Sequence, residues 1–185
     1  MATPAARKDN MMTRLAMIPT AAATLMLAAT ATAGADPTPG PAPAPIYIPG
    51  CTSDQPAQER PEQMLYNCDG SAAMEGMTWT SWGPDGAMGT GVDNAVQCKP
   101  NCAEGPHLIN PIIVHAWNPR PVDGAGCPAG ALFYADLTIA YPEGVPPWIV
   151  PGTTWERGVD FVTIDGMPAV HWTDRMPFGC QIPGP

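Results

Sequence analysis

The sequence predicts an all-β chain, a small disulfide-bonded β-sandwich or open barrel with short strands and many turns. Three observations predict it. The 185 residues include 25 prolines and 19 glycines and only 14 % charged residues, a composition that interrupts helices and does not suit a coiled coil. Four Asp-Gly pairs, at Asp69, Asp85, Asp123 and Asp165, mark hairpin or tight turns, with short β-rich runs between them. All six cysteines lie beyond residue 50, in the part of the chain that would fold after export.

Residues 1–35 read as a signal peptide. Arg7, Lys8 and Arg14 form a positive n-region, and Leu15 to Ala33 carries no charge. Ala33-Gly34-Ala35 fits an A-x-A cleavage pattern before Asp36, with Ala31-Thr32-Ala33 as a second site. Pro19 and the modest apolar density of the run set it apart from a membrane anchor. Cleavage removes three of the 8 basic and one of the 17 acidic residues, which takes the net charge from −9 to −11. So acidic a chain lacks the Lys and Arg clusters that neutralise phosphate, and it repels anionic lipid. Nucleic acid is thereby excluded as a partner, and no stable membrane insertion is expected after cleavage. The expected location is secreted, extracellular or in the cell envelope.

Asp36 to Pro45 reads D-P-T-P-G-P-A-P-A-P. Proline fixes φ and lacks a backbone donor, so residues 36–45 are expected to form a disordered, extended arm. Residues 46–185 are then a single β domain of ordinary size. Strand-like runs cover Gln63–Asn67, Gly76–Trp82, Leu108–Trp117, Ala131–Tyr141 and Val159–Ile164. The clearest hairpin runs from Asp160 to Trp172 around Asp165-Gly166. Pro111, Pro142 and Pro168 should fall at strand ends or edges, where a ladder bond is not needed. The best helical stretch, Gln55–Arg60, is stopped by Pro61.

Cys51, Cys68, Cys98, Cys102, Cys127 and Cys180 form an even set in a small exported domain, which points to disulfides, although spacing alone leaves the pairing open. The pairing expected here is Cys98–Cys102, Cys51–Cys68 and Cys127–Cys180. A zinc site using Cys98, Cys102 and His107 is the rival, but no second ligand pair completes it.

Trp79-Thr80-Ser81-Trp82-Gly83, Ala87-Met88-Gly89-Thr90-Gly91 and Cys98-Lys99-Pro100-Asn101-Cys102-Ala103-Glu104-Gly105 form an ordered series. Over about residues 62–140 the chain resembles a family of small exported actinobacterial proteins that share W-x-S-W-G, A-x-G-x-G and C-x-P-x-C-A-x-G. The family's aromatic-Pro-Val-x-Val strand is replaced here by Asn110-Pro111-Ile112-Ile113-Val114. The resemblance implies an exported β domain and transfers no catalytic residue.

Side chains alternate along a regular strand, so Trp79 and Trp82 are expected on opposite faces, one in the core and one at an edge or bend. Gly86, Gly89 and Gly91 suggest tight turns or a bulged strand. The six tryptophans fit core and edge packing; a sugar-stacking platform would use Trp82 with Trp117, Trp148, Trp155 or Trp172. Chemistry is sparse. Ser53, Ser71 and Ser81 lie in no G-x-S-x-G elbow, and His107, His115 and His171 lie in no H-E-x-x-H pattern. Asp136, Glu143, Glu156 and Asp160 are nameable carboxylates for glycoside hydrolysis, without a pattern that pairs them.

No catalytic, cofactor-binding or metal-binding residue is therefore assigned, and no cofactor is implied. The expected function is a non-enzymatic binding or structural module whose partner is an extracellular protein or a wall glycan. Trp82, Lys99, Pro100 and Asn101 are the candidate surface contacts. The alternatives are a small extracellular hydrolase acting on wall glycans and a secreted protein-binding factor presenting the Cys98–Cys102 loop. Exported protein should begin at Asp36 or Gly34 and resist alkylation without reductant; intact-mass analysis showing two or more labelled cysteines would contradict the disulfide framework.

Overall fold

The computed structural model describes residues 43–50, 57–122 and 129–175. Every described residue belongs to one compact unit, Pro41–Pro185. The signal peptide, most of the Pro-rich arm and the Asp123-Gly124 pair lie outside the described residues.

The fold is all-β, a sheet curled into an open half-barrel of mostly antiparallel strands. The strands are β1 (Ile46–Tyr47), β2 (Met64–Leu65), β3 (Ala72–Gly83), β4 (Gly86–Val96), β5 (His107–Pro121), β6 (Leu132–Ala140), β7 (Thr153–Glu156), β8 (Val159–Ile164) and β9 (Met167–Trp172). They are ordered β2-β3-β4-β5-β6-β9-β8-β7, and β1 joins β6 in parallel through Ile46 opposite Leu132. Among the described residues there is no helix, and none long and apolar enough to cross a membrane. Within the stretch expected to be most helical, Gln58 instead bridges Ile48.

Alternation sorts the two faces. Val114, Ile139, Val170 and Phe161 lie opposite one another on successive strands and are all buried. The neighbouring row, His115, Thr138, His171 and Asp160, therefore faces the other way. The buried row belongs to one continuous core that reaches from Ile46 to Val170. Burying each such side chain stabilises the fold by about 1.5–3 kcal/mol, which explains why the central strands are rich in Val and Ile.

Turn chemistry sets the connections. Asp165-Gly166 closes the β8–β9 hairpin with both residues at positive φ, the conformation an Asp-Gly turn supplies. Pro84-Asp85 turns β3 into β4, whose ends pair as Gly83 with Gly86. Pro111 sits within β5 rather than at its end. It pairs with Val92 on β4, and β6 joins β5 only from Ile113 onward, so the missing N–H faces a locally open edge. Pro168 pairs with Thr163, whereas β6 pairs with β9 only from Ala169 onward.

The two tryptophans of β3 do not divide between faces, contrary to the alternation argument. The pairing steps three residues along β3, from Trp79 to Trp82, for two along β4, from Gly89 to Ala87, so a bulge absorbs Thr80 and restores parity. A second irregularity between Glu75 and Thr78 contains Gly76 at φ +57°. Met74, Met77, Trp79 and Trp82 thus all pack into the same core despite spacings of three, two and three. Trp79 and Trp82 meet edge to face at 4.9 Å, and their indole N–H groups donate to the Pro61 and Ile46 carbonyls at 2.9 and 3.0 Å.

Opposite them, β4 presents small residues. A Cβ on Gly89 would lie 2.8 Å from the Trp79 ring and one on Gly91 would meet the Met77 sulfur, so the A-x-G-x-G pattern makes room for large side chains from β3 rather than forming turns. Gly89→Val should displace Trp79 and cost about 1–3 kcal/mol by overpacking, read as a lower unfolding midpoint in urea. An unchanged midpoint would show that the ring has free space.

Candidate ligand cavity

Asp93 is the fully buried carboxylate of the described residues. It lies on the core face of β4, and both its oxygens are occupied. The Tyr66 hydroxyl donates to Oδ1 at 2.6 Å and the Tyr141 hydroxyl donates to Oδ2 at 2.9 Å. Tyr66 follows β2 and Tyr141 follows β6, so one carboxylate ties together segments remote in sequence. Desolvation raises the Asp93 pKa above the ordinary carboxylate value, opposed by the two hydrogen bonds. Burial also pushes both phenols well above the usual tyrosine range, which keeps them as neutral donors.

Above this cluster the half-barrel opens into a cavity of about 430 Å³, within the range of small-molecule sites. It lies where β4 and β6 end and where β3 and β8 begin. Tyr66, Tyr141, Trp148, Trp155, Phe161 and Trp172 give it aromatic walls. Tyr66 meets Trp172 at 5.4 Å and 69°, and Trp155 meets Phe161 at 6.0 Å and 52°, so two tilted corners face the space. Trp155 is 62 % exposed, an unusual position for an indole that the core does not need.

The polar part of the lining includes Asp69, Glu156 and Lys99. The Ser71 hydroxyl and backbone N–H hold Asp69 below the usual carboxylate range, the N–H donating to Oδ1 at 2.9 Å. Lys99 belongs to the loop between β4 and β5.

Cys98 and Cys102 are bonded to each other across that loop, the first of the three expected pairings, so they do not serve as thiolate ligands. Cys68 is disulfide-bonded as well. The expected pairings Cys51–Cys68 and Cys127–Cys180 involve cysteines outside the described residues. Lys99, Pro100 and Asn101 are exposed. Asn101 shapes the loop: its Oδ1 accepts the Ala103 and Glu104 N–H groups at 3.0 Å, and its Nδ2 donates to Glu104.

The sugar-platform tryptophans are separated. Trp148, Trp155 and Trp172 line the cavity. Trp82 is half-buried beside β1 and Tyr134, with the Arg60 guanidinium 5.6 Å from its ring centroid. Trp117 lies on the opposite sheet face, stacked on His115 at 4.7 Å and tilted against His171 at 5.1 Å. Burial lowers the His115 pKa, and His171 Nε2 is buried without a hydrogen-bond partner among the described residues.

The four named acids do not converge either. Glu156 lines the cavity, whereas Asp136 accepts from Asn118 and the Asp174 N–H, and Asp160 accepts from Thr154. Glu143 is exposed in the loop after β6, outside the cavity lining. Sequence reasoning missed Asp93, Tyr66 and Tyr141. The only available signal was an acid at an alternation position that should be apolar, with Ala87, Gly89, Gly91 and Ala95 as its neighbours on that face.

Tyr141→Phe should leave Asp93 Oδ2 without its donor and cost about 1–3 kcal/mol in chemical denaturation at neutral pH. Because the folded-state pKa of Asp93 is raised, its stabilising contribution is complete below the unfolded-state carboxylate pKa and is lost as pH rises through the raised value. Wild-type stability relative to Asp93→Asn should therefore fall as pH rises above the ordinary carboxylate range near about pH 4; a rising difference would contradict the desolvation account.

No family model, curated protein or solved structure matches this chain.

Proposed function

We propose that this chain is an exported, non-enzymatic binding module that takes a small, largely apolar molecule into the open end of its half-barrel. The carrying observation is the cavity of about 430 Å³, whose aromatic walls are joined by the polar side chains of Asn67, Asp69, Ser71, Gln97, Lys99 and Glu156. Aromatic side chains are costly to leave beside water, so a cavity that keeps six of them on its lining gains free energy when an apolar guest replaces solvent.

Export is supported by the charged and apolar layout of residues 1–35 and by the Cys98–Cys102 bond, which persists best in an oxidising compartment. A soluble carrier or scavenger outside the cytoplasm fits the strongly acidic mature chain, which stays dispersed and avoids anionic surfaces. The resemblance to small exported actinobacterial proteins agrees with that setting. The glycan-hydrolase alternative draws little support from a cavity that contains only one of the four acids singled out for it. The protein-binding alternative would use the exposed Lys99-Pro100-Asn101 tip, and that loop also forms part of the cavity's rim through Cys98 and Lys99.

Nile red, an uncharged dye whose emission depends on polarity, should bind the mature protein saturably at one site per chain. Its emission should shift to the blue and it should quench tryptophan fluorescence. An unshifted spectrum up to the dye's solubility limit would overturn the binding-module reading.

A further inference from the structure

We propose that the natural occupant of the cavity is a hydrophobic organic cation, a quaternary or protonated amine carried on an apolar body. The inference rests on the binding-module reading and adds the charge of the ligand.

The walls are the first argument. The face of an aromatic ring is electron-rich, and a cation within about 6 Å of a ring centroid is attracted to it, more strongly when water is excluded. The pairs Tyr66–Trp172 and Trp155–Phe161 form tilted corners rather than parallel stacks. Trp155 is 62 % exposed, whereas Tyr66, Tyr141 and Phe161 are 8 %, 2 % and 6 % exposed, so a guest in the cavity meets chiefly indole, the side chain that attracts a weakly hydrated cation best.

The second argument is the buried carboxylate behind those walls. Tyr66 and Tyr141 both direct their O–H groups at Asp93. A phenol that donates to a carboxylate carries more electron density in its ring, so both tyrosine faces gain affinity for positive charge. Their hydroxyl protons are committed to Asp93, which leaves them poor donors toward an anionic guest.

Third, the charges around the opening are unequal. Asp69 and Glu156 line the cavity against the single cation Lys99. Hydrogen bonds from Ser71 keep Asp69 in its charged form at neutral pH. The chain's net charge of −9 adds long-range attraction for a cation. An anion meets repulsion at each of these distances, and a neutral guest uses only the apolar area. A hard metal ion is served poorly by walls made mainly of carbon.

The experiment compares three probes of nearly one shape on the intact mature protein: phenyltrimethylammonium, its uncharged isostere tert-butylbenzene, and benzenesulfonate. Calorimetry and tryptophan quenching should show phenyltrimethylammonium binding about tenfold more tightly than tert-butylbenzene, with no binding of benzenesulfonate. Trp155→Leu, at an exposed position that the core does not need, should weaken the ammonium probe about fivefold and the neutral isostere much less. If tert-butylbenzene binds as tightly as the ammonium probe, or benzenesulfonate binds better, the cation inference falls while the binding-module reading stands. If none of the three probes and no Nile red binds, both fall together.

Discussion

Two phenol hydroxyls on one buried carboxylate hold the open end of this sheet in shape. Asp93 is fully enclosed, and its desolvation is offset by Tyr66 on one oxygen and Tyr141 on the other. Charge-assisted hydrogen bonds of this kind are roughly twice as strong as neutral ones, and their directionality fixes both rings. Tyr66 and Tyr141 are also walls of the cavity, so the group that organises the core also sets the geometry of the site.

A second constraint comes from the crowded face of β3 and β4. Large side chains on β3 lean over β4, which answers with Ala87, Gly89 and Gly91 on the facing side. Two bulges in β3 keep Met74, Met77, Trp79 and Trp82 directed into the core. Bulges also increase local twist and bend the strand, which favours a sheet that curls without closing. The half-barrel and the empty space at its end thus share an origin in a strand with irregular apolar spacing.

The site and the fold were legible to different degrees. The hairpin from Asp160 to Trp172 could be read directly, because alternation and an Asp-Gly turn agree there. The strands around Gly76–Trp82 and Leu108–Trp117 were placed correctly but drawn too short, since β3 and β5 extend across bulges and prolines that interrupt a periodic pattern. Trp79 and Trp82 were expected on opposite faces because strict alternation takes no account of an inserted residue. Composition marks Trp148, Trp155 and Trp172 no differently from Trp82 and Trp117, and their division between the cavity and other surfaces depends on sheet register.

The sequence alone was enough to read an acidic, proline- and glycine-rich chain as all-β, with Cys98 and Cys102 close enough in sequence to be joined. Those properties follow from composition, local turn preference and short-range spacing, which act between near neighbours. Only the tertiary structure decided that Asp93 would be buried under two tyrosines 27 and 48 residues away, and that three scattered tryptophans would share one cavity. The physical reason is the period of two in a strand: each bulge or register step reverses the face of every later residue, so long-range contacts depend on events that local pattern does not encode.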